Sequence, residues 1–288
     1  MSIFKSLVTY GEMIKFSHTV FALPFALSSV ALASREYPVT LKQVFWILVA
    51  MVGARSAAMG FNRLVDRPWD ALNPRTRNRA LPQGRVSRKE VVLFVSFFSF
   101  LFIFSAYQLN PLCFLLSPLA LFLTFFYSYT KRFTWTSHLF LGAAIGVAPT
   151  AAWLAVTGGV HIIPILLSLA VLTWIAGFDV LYACQDYQFD VAHRLYSIPQ
   201  RFGVRNALYI ARALHGGTLL CFFAVGLLSD LHLIYGTGML AVAGLLLYEH
   251  RLIKPEDLSK INLAFFNVNG IISILFFLIT LADIFVYR

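Results

Sequence analysis

The chain has 288 residues, 59% of them hydrophobic and only 12% charged, against about 25% charged in an ordinary soluble domain. That is too little charge to clothe a soluble surface, and the formal net charge of +10 does not signal nucleic acid, because of where the cations lie. Three isolated cysteines, Cys113, Cys184 and Cys221, have neither metal-ligand spacing nor an even-numbered framework and read as core packing.

In chain order, apolar stretches fall at roughly 16–34, 43–62, 90–109, 111–129, 138–157, 164–185, 207–228, 232–248 and 264–285. Each is near the ~20 residues needed to cross a bilayer. Lipid offers no hydrogen-bond partner to the backbone, so spans this apolar are helices. The fold class is all-α, a polytopic membrane protein of about nine transmembrane helices in one domain over residues 1–288. The third and fourth spans are divided by the Asn110-Pro111 turn. Lys5, Lys15, the apolar run 19–30 and Ala31-Leu32-Ala33 imitate a signal peptide. His18, Pro24 and the many later spans favour an uncleaved first helix.

With a cytoplasmic N-terminus, the N-terminal segment and the loops after spans 2, 4, 6 and 8 hold 18 Lys and Arg residues, and the opposite side holds Arg35, Lys42 and Arg288. This is the positive-inside asymmetry, and it accounts for the basic character through the lipid bilayer. Arg55 and Arg212 lie inside spans.

Two long loops, 63–89 and 186–206, follow even-numbered spans and begin with acidic residues. Asp66 and Asp70 match Asp186 and Asp190 at an offset of 120 residues, and Pro82-Gln83 echoes Pro199-Gln200. Spans 1–4 and 5–8 therefore read as two four-helix halves with a ninth helix added, enclosing one central cavity.

Five of the 13 acidic residues crowd into Asn62-x-x-x-Asp66-x-x-x-Asp70 and Asp179-x-x-Tyr182-x-x-x-Asp186-x-x-x-Asp190. A spacing of four places side chains on one helix face. Carboxylates so crowded repel, and a divalent cation relieves the conflict. Mg2+ suits the oxygen ligands, taking one or two carboxylates plus substrate phosphates. Solvated loop acids balanced by arginines are the plainer reading of any single Asp, but not of two matched clusters. Pro68 is expected to end or kink the second helix between Asp66 and Asp70, bringing Asp70 to the metal from a short loop helix.

Cations flank both clusters. Tyr127-x-x-x-Lys131 ends the fourth span with both side chains on one face, and Arg63, Arg67, Arg75, Arg77 and Arg79 follow the first cluster. Such residues can neutralise a departing diphosphate. Lys131 and Arg79 are the better candidates; Arg75, Arg85 and Arg88 read as topology charges. Arg55, seven residues before Asn62, either pairs with an acid in the bundle or reads an anionic substrate. Most of the 28 phenylalanines face lipid or pack between helices. Walker loops, dinucleotide fingerprints, nucleophile elbows and zinc spacings do not occur.

Asn62-Arg-Leu-Val-Asp-Arg-Pro-Trp-Asp70, Arg77-Asn-Arg-Ala-Leu-Pro-Gln-Gly84, the Tyr127–Lys131 pair and Asp179 to Asp190 together resemble the UbiA superfamily of intramembrane aromatic prenyltransferases. Ser17 to Pro24 is similar to its first-helix pattern. Gly177 to Asp186, Ser197-Ile-Pro199 and Arg201-Phe-Gly203 resemble a bacterial subgroup of 4-hydroxybenzoate polyprenyltransferases, some serving menaquinone synthesis. Arg63 departs from the 4-hydroxybenzoate pattern, where an extra aspartate often follows the asparagine.

The resemblance implies Mg2+ held by Asp66, Asp70, Asp186 and Asp190 with Asn62 assisting. It implies polyprenyl diphosphate as donor, with Lys131, Arg67 and Arg79 drawing charge onto the leaving group. An aromatic acceptor would then attack the allylic cation, with Arg55, Tyr127, Tyr182 and Asp179 as acceptor-binding or cation-stabilising residues. Members making haem O, chlorophyll or tocopherol precursors share that metal site and remain alternatives. An ion-coupled transporter would place its acids nearer mid-span. The charge asymmetry puts the active-site loops on the cytoplasmic side of the membrane, which for a bacterial chain is the inner (cytoplasmic) membrane.

Overall fold

A computed structural model describes Gly11, Met13 and residues 21–287. The expected start of the first span and His18 lie outside the described residues. Within them the protein is all-α: α1 (Leu23–Ala33), α2 (Leu41–Leu72), α3 (Arg88–Leu109), α4 (Pro111–Thr130), α5 (Ser137–Thr157), α6 (Ile162–Ala183), a short α7 (Tyr187–Ala192), α8 (Ile198–Leu228), α9 (Leu233–Leu252) and α10 (Asn269–Val286). Among the described residues, eight helical segments are long and apolar enough to cross a membrane, and α1 is a shorter apolar helix. The protein is an integral membrane protein.

Helix boundaries follow local chemistry. Thr40 and Ser87 open α2 and α3 through capping boxes with Gln43 and Glu90, each satisfying backbone donors that a helix start leaves open. Asn110 ends α3 and caps α4, whose first residue is Pro111, a position where the missing N–H costs nothing. Gly158 closes α5 with φ +70°, a left-handed conformation that glycine adopts without a Cβ penalty.

Two expectations about the loops are corrected. Helix α2 runs through Pro68 without ending and carries both Asp66 and Asp70. Its 32 residues measure ~48 Å at ~1.5 Å per residue, longer than the ~30 Å hydrocarbon core, so part of it extends beyond the apolar layer. The break falls in the second cluster instead, where a tight turn at Cys184–Asp186 leads into α7, which carries Asp190. Most of the expected loop 186–206 is likewise helical, since α8 begins at Ile198.

Helix α2 packs along α3, and α6 packs along both α5 and α8. The first helices of the two halves, α1 and α5, also touch, and α10 covers α1. Close approach of α5 to α6 depends on Gly142 and Gly146: a Cβ on Gly142 would lie 2.3 Å from the Leu172 carbonyl oxygen, and one on Gly146 2.8 Å from that of Ser168. Small residues four apart let helix backbones approach where lipid provides no hydrophobic drive. An aromatic core of Phe25, Trp174, Phe222 and Phe276 ties α1, α6, α8 and α10 together.

Candidate active site

Helices α2, α4, α5 and α6, with the two inter-helical segments, surround one cavity. Its polar lining includes Asn62, Asp66, Asp70, Arg75, Arg79, Lys131 and Asp186; its apolar lining includes Phe21, Leu141, Ile145, Phe178 and Phe265.

In the first half, the i to i+4 spacing on α2 lets Asn62 Nδ2 donate to Asp66 Oδ2 at 2.8 Å. Asp70 receives Arg79 through one guanidinium nitrogen at 2.7 and 2.8 Å, and Thr76 Oγ1 bonds the Asp70 carbonyl at 3.1 Å, drawing the chain after α2 back over the site. Arg63 is buried, donating to Asn62 Oδ1 at 3.3 Å and standing 3.9 Å from Asp70.

In the second half, Asp186 accepts from Asn73 Nδ2 and Arg75 Nε, both at 3.0 Å. Arg75 also donates to the Tyr182 hydroxyl at 2.7 Å, with its guanidinium 4.9 Å from that ring's centroid. Burial by itself lowers the Arg75 pKa, but the hydrogen bond and charge of Asp186 more than offset this, and the guanidinium is held above its ordinary range. Asp190 has no solvent exposure; Lys131 Nζ reaches it at 2.8 Å and Ser197 Oγ at 2.9 Å. Both ion pairs to this cluster therefore join one half of the repeat to the other.

Deeper polar groups complete the wall. Asp179 Oδ2 lies 2.7 Å from His138 Nδ1, and His138 Nε2 accepts from the Ile198 backbone at 3.3 Å. Because a backbone N–H can only donate, the neutral His138 ring carries its proton on Nδ1 and donates to Asp179. Arg55, Tyr127 and Tyr182 also line the cavity.

The structure thus brings Asn62, Asp66, Asp70, Asp186, Lys131, Arg79, Arg55, Tyr127, Tyr182 and Asp179 to one cavity, with Asp190 behind Lys131. Two readings of the arginines change. Arg67 is exposed and does not line the cavity, although Arg63 one turn earlier on α2 does. Arg75, read as a topology charge, lies inside the cavity on Asp186. Sequence spacing also missed Asn73 and His138. The Asn-Pro turn at Asn73-Pro74 was the available signal for the first, since Asn73 Oδ1 bonds the Arg75 backbone at 2.9 Å and aims that arginine.

Among the described residues, no three His, Cys, Asp or Glu side chains converge as a metal cluster. The arrangement still suits Mg2+, which takes one or two carboxylates and completes its shell with phosphate oxygens and water. The first cluster turns Asp66 and Asp70 to the cavity and the second turns Asp186 to it, and Asp66 accepts from the neutral Asn62 amide.

The protein is an all-helical membrane bundle in which acids and cations interleave around one cavity. The chain belongs to the UbiA prenyltransferase family, whose model matches residues 22–271. It is 33% identical over 242 residues to a 4-hydroxybenzoate octaprenyltransferase of Shewanella halifaxensis, covering 84% of each chain. It is 32% identical over 259 residues to one of Methylobacillus flagellatus, covering 90% of this chain and 87% of the relative. The apo structure of a UbiA homologue from Aeropyrum pernix K1 superposes with TM-score 0.80 at 32% identity, covering 94% of this chain and 98% of that one. A UbiA homologue from Archaeoglobus fulgidus bound to DMAPP and Mg2+ shares the fold, with TM-score 0.74 at 24% identity over 96% of this chain and 99% of its own.

Proposed function

We propose that this prenyltransferase moves a polyprenyl group from polyprenyl diphosphate to an aromatic quinone precursor, 4-hydroxybenzoate or a hydroxylated naphthoate. The observation that carries this reading is the pairing of Arg75 with Asp186 and Lys131 with Asp190 across the two halves, at a cavity whose remaining wall is largely aromatic and aliphatic. The names of the relatives and the Mg2+-bound and DMAPP-bound homologue support it.

Asp66, Asp70, Asp186 and Asp190, with Asn62, would hold Mg2+, which when bound neutralises and orients a diphosphate. Lys131, Arg79 and Arg75 then exchange carboxylate partners for diphosphate oxygens and stabilise the negative charge that develops as the allylic carbon–oxygen bond breaks. Phe21, Phe178, Phe265, Leu141 and Ile145 keep water from the allylic cation. Tyr127 and Tyr182 offer ring faces to that cation. The acceptor ring attacks the cation and loses a proton to restore aromaticity. Arg55 reads the acceptor carboxylate, and Asp179, oriented by His138, faces the acceptor's polar groups. The site opens on the cytoplasmic side of the membrane, following the distribution of basic residues.

The proposal is tested with protein purified in detergent and supplied with Mg2+ and a short prenyl diphosphate. 4-Hydroxybenzoate and hydroxylated naphthoates are offered in parallel, and prenylated product is read by mass spectrometry. Product with one class identifies the acceptor; none with either overturns the reading.

A further inference from the structure

Glu249, inside α9, has no solvent exposure, although an ionisable side chain in a membrane span is strongly disfavoured. The proposed chemistry does not use it. Its Oε1 accepts from Asn269 Nδ2 at 2.6 Å, and the same amide nitrogen donates to the Ala264 carbonyl at 3.1 Å. Oε2 stands 3.6 Å from His215 Nδ1 and has no hydrogen-bond partner among the described residues. His215 is itself anchored, its Nε2 3.2 Å from the Trp174 carbonyl and its Nδ1 3.0 Å from His250 Nε2. Since a carbonyl only accepts, the His215 proton sits on Nε2 and points toward α6.

Ala264 lies within, and Asn269 directly follows, a π-helical turn at Leu263–Val268 that leads into α10. Such a turn contains one residue more than an α turn and is often kept where a side chain must be re-aimed. Returning it to α geometry would rotate the residues on one side of it by about 100° relative to the other. In the observed register Phe265 lines the cavity. Its ring centroid lies 4.3 Å from that of Tyr182, 5.1 Å from Phe178 and 5.5 Å from Phe21. Tyr182 in turn carries the Arg75 guanidinium. An unbroken line of contacts therefore runs from the buried carboxylate to the diphosphate end of the cavity.

We propose that Glu249 and Asn269 are positioning residues for donor specificity: their hydrogen bond stitches the π turn and holds Phe265 on Tyr182, setting the wall along which the isoprene units nearest the diphosphate lie. This rests on the prenyl-diphosphate reading given above. A merely structural carboxylate would be replaceable by a membrane-compatible apolar side chain without changing which donor is preferred.

The test compares wild type, Glu249→Gln, Glu249→Leu and Phe265→Leu as full chains in lipid nanodiscs. kcat/KM is measured for a five-carbon and a ten-carbon prenyl diphosphate, which differ in the second isoprene unit from the diphosphate, with one acceptor, alongside hydrogen exchange of the segment 260–270. Glu249→Gln retains an oxygen acceptor for Asn269 and should match wild type within about twofold in both readouts. Glu249→Leu should accelerate amide exchange across 263–269 about tenfold and shift the ratio of the two kcat/KM values about tenfold, the scale of a pocket-shape change. Faster exchange with an unchanged donor ratio overturns the proposal, as does a Glu249→Leu protein identical to wild type in both. Should Glu249→Leu fail to insert, Phe265→Leu decides: its donor ratio must shift, and an unchanged ratio overturns the proposal. Absence of turnover in the wild-type protein would instead overturn the prenyl-transfer reading, so the two fail separately.

Discussion

Arg75 and Asp186 lie 111 residues apart and meet at the cavity, the guanidinium bonding the carboxylate through Nε at 3.0 Å and the Tyr182 hydroxyl through a terminal nitrogen at 2.7 Å. A carboxylate proposed for the metal and a cation proposed for the diphosphate are thus hydrogen-bonded to each other. In the proposed mechanism both groups change partners together when the metal-bound donor enters.

Arg75→Ala tests that exchange. Loss of a charge-assisted contact to the donor should raise the donor KM about 10- to 100-fold, corresponding to ~1.5–3 kcal/mol, with the acceptor KM within about twofold. Steady-state kinetics with each substrate varied measures both. An unchanged donor constant would return Arg75 to the role of a topology charge.

Arg55→Lys separates acceptor binding from scaffold. A planar guanidinium binds a carboxylate through two parallel hydrogen bonds that an ammonium cannot reproduce, and an unpaired buried carboxylate is strongly disfavoured. The acceptor KM should rise about tenfold while the donor KM and the detergent melting temperature hold. A destabilised protein with an unchanged acceptor constant would make Arg55 a packing residue.

Gly142→Ala should lower stability by ~1–3 kcal/mol, because the new Cβ meets backbone and not a yielding side chain, namely the Leu172 carbonyl oxygen at 2.3 Å. Gly216→Ala is the control, since nothing lies within 4 Å of a Cβ there. Melting curves in one detergent compare them, and equal curves would contradict the close packing of α5 on α6.

Membrane orientation is checked with reporter fusions. Fusions at residues 75 and 195 should report cytoplasm, and those at residue 159 and the C-terminus the opposite side. A cytoplasmic C-terminus would contradict both the nine-helix count and the assigned face of the site.

Much of this was legible in the sequence because hydropathy dictates span number and i to i+4 spacing dictates helix faces. Asn62 and Asp66 were readable on one face of α2, and they bond in the structure. Contacts between distant segments were not readable. Arg75 looks like its neighbours Arg77 and Arg85 until the turn at Asn73 aims it at Asp186. The His138–Asp179 pair joins two helices with no shared spacing. Pro68 misled because a helix can continue through proline where the carbonyl it strands finds another partner or water. The π turn at Leu263–Val268 was hidden inside an apolar run whose periodicity looks like any other span.

Two carboxylates, one from each half, carry the central claim that a single metal–diphosphate site is built across the repeat. Asp66→Ala and Asp186→Ala are compared with wild type for product formation at saturating Mg2+ and donor, with membrane insertion and melting temperature measured on the same preparations. Each variant should insert and melt near wild type yet lose turnover by more than about 1,000-fold, the scale expected when electrostatic stabilisation of a leaving group fails. Near-normal turnover by inserted Asp186→Ala protein at saturating Mg2+ would contradict the two-half site.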